Sequence, residues 1–278
     1  MNNLQFQWQS FDGHSLFGQS WIPEENPKAV INFVHGIGEH SSRYQNWMPF
    51  FVENGFAVFA IEYRGHGHSF GKRGYIEYYE DILKDIDVLF EESKKAYPDL
   101  PQFLYGHSLG GNIVINYTLR RKPEIIGLIA TSPWLWLTKE PPKWQVNLVK
   151  SIKSFLGGLT IPTNIKANQI TQNSEIVEHY KKDPLVHNKI SLTLFASAYE
   201  NGKWAVENAK AMPVPFYLLH GANDPITSPK GSEAFYKNNP EKTQLKIWEG
   251  MLHELHNEPI REQHAEHIIN WMNQQLNL

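Results

Sequence analysis

Phe103-Leu104-Tyr105-Gly106-His107-Ser108-Leu109-Gly110-Gly111-Asn112 is the stretch on which the fold turns. An apolar, strand-forming triplet runs into a glycine-flanked serine, and residues 112–119 then read as helix. A Gly-x-Ser-x-Gly pattern between strand and helix describes a sharp turn. Its serine sits in strained backbone, and its glycines let neighbouring chain come close. Taken alone, five such residues would be an ordinary loop. With a strand before and a helix after, Ser108 becomes the candidate nucleophile.

Outward from this turn, short and nearly continuous apolar runs occupy residues 29–34, 56–61, 102–105, 125–130, 215–219 and 244–248. Continuous rather than alternating apolarity marks strands covered on both faces, as in a parallel sheet. Residues 79–96 carry Tyr79, Ile82, Leu83, Ile86, Leu89 and Phe90 at helical spacing, and 43–53 and 258–276 also read as helices. Near the start, Leu4, Phe6 and Trp8 alternate with Gln5, Gln7 and Gln9, and Asp12-Gly13 signals a turn into a second extended run ending near Trp21. The expectation is an α/β protein: a mostly parallel, eight-stranded sheet with helices on both faces and an antiparallel hairpin at one edge.

The alternation stops between Trp134 and about Lys210, a stretch with Pro133 at its edge and Pro141, Pro142, Pro162 and Pro184 within it but no strand pattern. Within it Trp144, Leu148, Ile152 and Phe155 mark one face of a helix. Residues 134–210 are therefore read as a helical cap over the carboxyl edge of the sheet, with 1–133 and 211–278 as the core. Trp134-Leu135-Trp136-Leu137 and Trp144 fit three roles: packing between cap and core, an acyl-chain pocket, or a lip in transient contact with a membrane.

Composition narrows the classes. Net charge is −3 with no basic stripe, which argues against nucleic acid as a partner. With Cys 0, disulfides, thiolate metal sites and cysteine nucleophiles are excluded. The first residues lack a basic segment followed by an apolar run, and no apolar stretch is long enough to cross a bilayer, so the expectation is a soluble cytoplasmic protein. His66 and His68 stand two apart without an accompanying carboxylate or thiolate cluster, so no metal site is read there.

A serine hydroxyl needs a base to take its proton. With a Gly-x-Ser-x-Gly nucleophile the chain order is serine, acid, histidine. His264 and His267 fall inside the last helix, one turn apart, and are expected at the surface. His253 and His256 follow the final strand, where a site at the carboxyl ends of strands belongs. His253 is nearer the strand and preferred, with His256 in reserve. Asp224 follows the preceding strand. It could merely cap a helix beginning near Thr227, but its position makes it the acid that holds the histidine tautomer. Backbone N–H groups of Leu109 and Ile37, the latter in His35-Gly36-Ile37-Gly38, are the expected oxyanion donors.

Five segments together resemble the monoacylglycerol lipase/lysophospholipase family of α/β-hydrolases. They are His35-Gly36-Ile37-Gly38-Glu39-His40-Ser41-Ser42-Arg43-Tyr44, Glu62-Tyr63-Arg64-Gly65-His66-Gly67-His68-Ser69, residues 106–111, Asp183-Pro184-Leu185-Val186-His187 and Leu219-His220-Gly221-Ala222-Asn223-Asp224. The resemblance covers nearly the whole chain. It implies the α/β-hydrolase fold, a triad of Ser108, Asp224 and His253, and a helical cap over an apolar acyl tunnel. It also implies Glu39, Arg43 and His256 near the polar end that accepts glycerol, a small-molecule lipid ester as substrate, and no cofactor. Ile37 stands where the family usually has a small residue, and Met251-Leu252 where an aromatic usually precedes the histidine. Rival expectations are a lysophospholipase or short-chain esterase, an aminopeptidase on the same fold, and a non-catalytic ligand sensor. A dehalogenase is excluded, since its nucleophile is aspartate.

Overall fold

A computed structural model of the chain describes residues 1–277. Chain order runs β1 (Asn2–Gln9), β2 (Ser15–Ile22), β3 (Ala29–Val34), α1 (Met48–Val52), β4 (Phe56–Glu62), α2 (Tyr79–Ala96), β5 (Gln102–His107), α3 (Leu109–Arg121) and β6 (Gly127–Thr131). It continues with α4 (Lys143–Leu156), β7 (Thr160–Pro162), α5 (Ser174–Lys182), β8 (Lys189–Ser191), α6 (Leu192–Glu207), β9 (Phe216–Gly221), α7 (Pro229–Asn238), β10 (Thr243–Trp248) and α8 (Arg261–Gln275). The main sheet has 8 strands in the order β1-β2-β4-β3-β5-β6-β9-β10. β1 pairs antiparallel with β2, and β2 with β4; the remaining pairings are parallel. This is the α/β-hydrolase fold.

The reason the inner strands are apolar throughout is visible in β3. Val30 and Val34 join one core cluster with α2 and α3, while Ala29, Ile31 and Phe33 join a second with α1 and α8. Alternate side chains thus meet a different helical layer, and neither face can be polar. Chain direction across the sheet reverses between β3 and β5, so the loops after these two strands meet at the switch point where α/β sheets hold their ligands.

The edge hairpin is tied down by charge. Arg64 donates to Asp85 from Nε at 2.9 Å and Nη2 at 2.8 Å, and to Asp12 in the β1–β2 turn at 2.8 Å. Ser10 Oγ donates to the same Asp85 at 2.6 Å.

Several expectations are corrected. Residues 43–53 do not form one helix: a 3-10 turn at Ser41–Tyr44 is followed by α1, whose first turn holds Pro49. Proline favours a helix start and cannot continue one. Glu258, the residue before Pro259, is held in extended backbone, so α8 starts at Arg261 rather than at 258. Residues 134–210 are not wholly helical, because β7 and β8 pair antiparallel with Thr160 opposite Ser191. Three-residue strands are too short to carry an alternation signal. His264 is fully buried rather than exposed, stacked at 5.3 Å on Trp47 and edge-on to Trp248. The helix after Asp224 begins at Pro229, with Ser228 at its cap position.

Between β6 and β9, α6 shares the core cluster of α2 and α3 through Leu194, Ala198 and Ala205. In contrast α4 presents Trp144 (65% exposed), Leu148 and Phe155 (88% exposed) outward. Among the described residues no helix is long and apolar enough to cross a membrane.

Candidate active site

Ser108 joins β5 to α3 with φ 55° and ψ −117°, a left-handed region costly for a side chain. Tight surroundings hold it there. A Cβ on Gly110 would fall 2.1 Å from Val34 O, and one on Gly106 would fall 2.4 Å from Gly110 O. Only glycine lets α3 sit this close to β3 and β5, so the sheet and helix together press the serine into its strained turn.

His253 Nε2 lies 2.9 Å from Ser108 Oγ, and His253 Nδ1 lies 2.6 Å from Asp224 Oδ2. A carboxylate at Nδ1 fixes that nitrogen as the N–H donor and leaves Nε2 to accept from the serine hydroxyl. Asp224 follows β9 and accepts in addition from the N–H groups of Ile226 (2.8 Å) and Thr227 (3.0 Å) and from Thr227 Oγ1 (2.9 Å). Asp224 thus caps no helix but orders the turn at 224–227, and the same bonds aim its carboxylate at His253. Burial works to raise the Asp224 pKa, but His253 and His220 outweigh it and hold the carboxyl far below its usual range. Burial works to lower His253, and the Asp224 carboxylate reverses this, so the ring is more basic than a free imidazole. The alternative base, His256, points elsewhere.

The expected oxyanion donors flank the same serine. Leu109 is the first residue of α3, so its N–H has no partner within the helix. Ile37 N–H has no protein acceptor among the described residues. The Gly36–Ile37 peptide is held at its carbonyl: Gly36 O accepts from Tyr63 OH at 2.9 Å and meets His35 Nδ1 at 2.8 Å, while Gly36 N–H, in the peptide before it, donates to Glu39 Oε1 at 2.6 Å. In a planar trans peptide the carbonyl and the following N–H point opposite ways. Fixing Gly36 O therefore fixes the direction of Ile37 N–H. Tyr63 is fully buried, stacked on His35 at 4.5 Å and packed against a tilted His66 at 4.4 Å.

Two spaces meet at Ser108. A cavity of about 500 Å³ is lined by Ile37, Trp134, Leu137, Ile161, Phe195 and Ile226. Against the same serine a recess of about 20 Å³ is lined by Glu39, Arg43, His107, Tyr180 and Glu254 together with Ile37, Ile165, Ile170 and Ile226. Arg43 donates bidentately to Glu254 at 2.8 and 2.9 Å, also bonds Glu39, and lies 4.8 Å from the Tyr180 ring. Glu39 further accepts from Tyr44 OH at 2.8 Å.

Of the residues expected at this polar end, Glu39 and Arg43 line the recess and His256 does not. His256 stands behind His107, edge-on at 5.1 Å, and against Tyr44 at 4.6 Å. A 3-10 turn at Leu255–Asn257 carries it away from the cleft after His253. Sequence reasoning missed Tyr63, Tyr180 and Glu254. For Glu254, adjacency to His253 was an available signal; the other two are brought in by tertiary contact. His66 and His68 contribute to loop order, His68 Nδ1 lying 3.2 Å from Glu62.

Comparison with known proteins gives consistent findings. The family model Hydrolase_4, described as serine aminopeptidase S33, matches residues 25–260. An abhydrolase domain-containing protein of Dictyostelium discoideum is 38% identical over 95% of the chain, which spans 28% of that relative's length. Monoglyceride lipase of Homo sapiens is 33% identical over 89% of this chain and 82% of its own. The crystal structure of monoacylglycerol lipase from Paleococcus ferrophilus superposes with a TM-score of 0.84 at 30% identity, covering 99% of this chain and 100% of that one.

Proposed function

We propose, from the premise that the chain belongs to the Hydrolase_4 family (serine aminopeptidase, S33), that this serine hydrolase cleaves monoacylglycerols to fatty acid and glycerol. One observation carries the reading: the Ser108–His253–Asp224 row borders a cavity with mostly apolar walls and a smaller recess carrying Glu39, Arg43 and Glu254. An apolar acyl chain suits the larger space, and the charged walls of the smaller one suit the hydroxyls of a small polar alcohol. The monoglyceride lipase relatives add support.

Ser108 Oγ attacks the ester carbonyl carbon while its proton passes to His253 Nε2. The carbonyl oxygen becomes an oxyanion held by the N–H groups of Ile37 and Leu109, each such donor lowering the barrier by ~3–4 kcal/mol. Collapse breaks the bond to the alcohol oxygen, which takes the proton from His253 and leaves as glycerol. Water then attacks the acyl-enzyme, giving its proton to His253, and the fatty acid departs with Ser108 restored.

Residues 134–210 act in this reading as the cap, with 1–133 and 211–278 as the catalytic core. The outward face of α4 supports transient docking at a lipid surface: Trp144, Leu148 and Phe155 are exposed, and Lys143, Lys150 and Lys153 lie on the same helix. Ile161 is both part of the exposed apolar surface and a wall of the acyl cavity, which links the surface to the tunnel.

The test is hydrolysis of 1-monoacylglycerol beside p-nitrophenyl esters of graded chain length, with Ser108→Ala as control. The variant is expected to fold and to lose ester cleavage. Appreciable turnover by Ser108→Ala, or a preference confined to the shortest acyl chains, overturns the reading.

A further inference from the structure

We propose that Glu254 is a specificity-determining residue that makes the leaving-group recess reject anionic head groups, so that the departing alcohol must carry no phosphate. The inference rests on the reading that the polar recess receives the alcohol of the ester.

A guanidinium aimed into a polar recess is the usual receptor for phosphate, because its fork matches two oxygens at once. Arg43 occupies that position, yet the Nη1–Nη2 end of its fork is already filled. Both terminal nitrogens donate to the two oxygens of Glu254, at 2.8 and 2.9 Å, and Nη1 also meets Glu39. Neither carboxylate is free to swing away. Glu254 is buried, its Oε2 also accepts from Asn257 Nδ2 at 2.7 Å, and its backbone N–H donates to Ile170 O at 2.7 Å. Glu39 is buried and held by Gly36 N–H and Tyr44 OH.

The charges facing the recess are thus one cation and two carboxylates, a surplus of one negative charge. The neighbouring groups do not offset it: any positive charge on His253 is balanced by Asp224 at 2.6 Å. Burial lowers the His256 pKa to about 4 against the pull of Glu254 and Glu39, leaving that ring neutral near pH 7. Burial raises the Tyr180 phenol to about 12, so it is neutral as well. Burial works to raise Glu254 too, but Arg43 outweighs it and keeps the carboxyl ionised. An anionic head group would meet this surplus in a water-poor recess, where like charges repel strongly. It would also find the Nη1–Nη2 end of the guanidinium already taken by two carboxylates. A glycerol, with hydroxyls that both donate and accept, meets no such penalty.

The experiment compares 1-monoacylglycerol with a 1-acyl lysophosphatidic acid of the same chain, using the full-length protein and Glu254→Gln. The unmodified protein is expected to prefer the glycerol ester by at least about 100-fold in kcat/KM. Glu254→Gln is expected to narrow that ratio at least about 10-fold, equivalent to ~1.4 kcal/mol, because it removes the surplus charge and loosens one side of the fork. Equal ratios in the two proteins, or comparable cleavage of both lipids by the unmodified protein, overturn the role of Glu254 and leave the monoacylglycerol reading standing. Cleavage of neither lipid, with Ser108 still labelled by a fluorophosphonate, defeats the substrate reading and this inference together.

A second measurement does not depend on the variant folding. The acyl-enzyme of the unmodified protein is offered glycerol or glycerol 3-phosphate as acceptor, since an acceptor enters where the leaving group departs. Acyl transfer to glycerol with less than about a tenth as much to glycerol 3-phosphate is expected. Comparable transfer to both overturns the proposal.

Discussion

Replacing Tyr63 by Phe tests how the oxyanion donor at Ile37 is aimed. The change deletes one hydroxyl, 2.9 Å from Gly36 O, and keeps the ring between His35 and His66. Gly36 O retains His35 Nδ1 at 2.8 Å, so it is not left without a partner. The stability cost is therefore that of one neutral hydrogen bond, about 1 kcal/mol, which in a chain of this size lowers Tm by roughly 2–4 °C. The catalytic cost is bounded above by loss of an oxyanion donor, ~3–4 kcal/mol. A peptide that loses one of two partners at its carbonyl but keeps His35 Nδ1 should lose about half of that, a fall in kcat of roughly 10- to 30-fold. KM should stay within about twofold, because the oxyanion exists only beyond the ground state. Steady-state kinetics on a soluble p-nitrophenyl ester, with thermal melting alongside, read both quantities. A folded Tyr63→Phe protein with kcat within twofold of the unmodified enzyme would show that the Tyr63 bond does not aim the donor.

Three further expectations concern other parts of the molecule. His253 acts as a base only when neutral, and Asp224 raises its pKa above 6.5; kcat/KM should therefore fall on acidification with a midpoint above that value, and a midpoint clearly below it contradicts the pairing. Arg64→Ala leaves the buried Asp85 carboxylate without its guanidinium, and loss of one partner of a buried pair costs roughly 3–5 kcal/mol, measurable as a lower urea midpoint. Substituting Phe155, which is 88% exposed on α4, by Asp should reduce activity on monoacylglycerol in anionic vesicles severalfold while sparing a soluble short-chain ester; equal loss on both would argue against surface docking.

Much of this protein is local in origin, and the local part was legible in its chain. Continuous apolar runs require strands covered on both faces, and β3 splits its side chains between two helical layers accordingly. The glycines around Ser108 announce a turn that only they permit, because the sheet and helix approach within contact distance there. Boundaries slipped where a proline set the start of a helix, at Pro49 and Pro259, and where β7 and β8 were too short to show alternation. His264 was misread as a surface residue because its burial depends on Trp47 and Trp248, which reach it from other elements.

The sequence by itself determined the parallel sheet, the strained serine turn and the order serine, aspartate, histidine, since these follow from hydrophobic periodicity and backbone sterics over a few residues. Only the tertiary structure decided that His253 faces Ser108 while His256 turns behind His107. It alone joined Arg43 to Glu254, 211 positions away, and set Tyr63 against the carbonyl of Gly36. Such pairings leave no local trace, because a hydrogen bond between distant segments depends on where packing brings their backbones and not on the residues beside them.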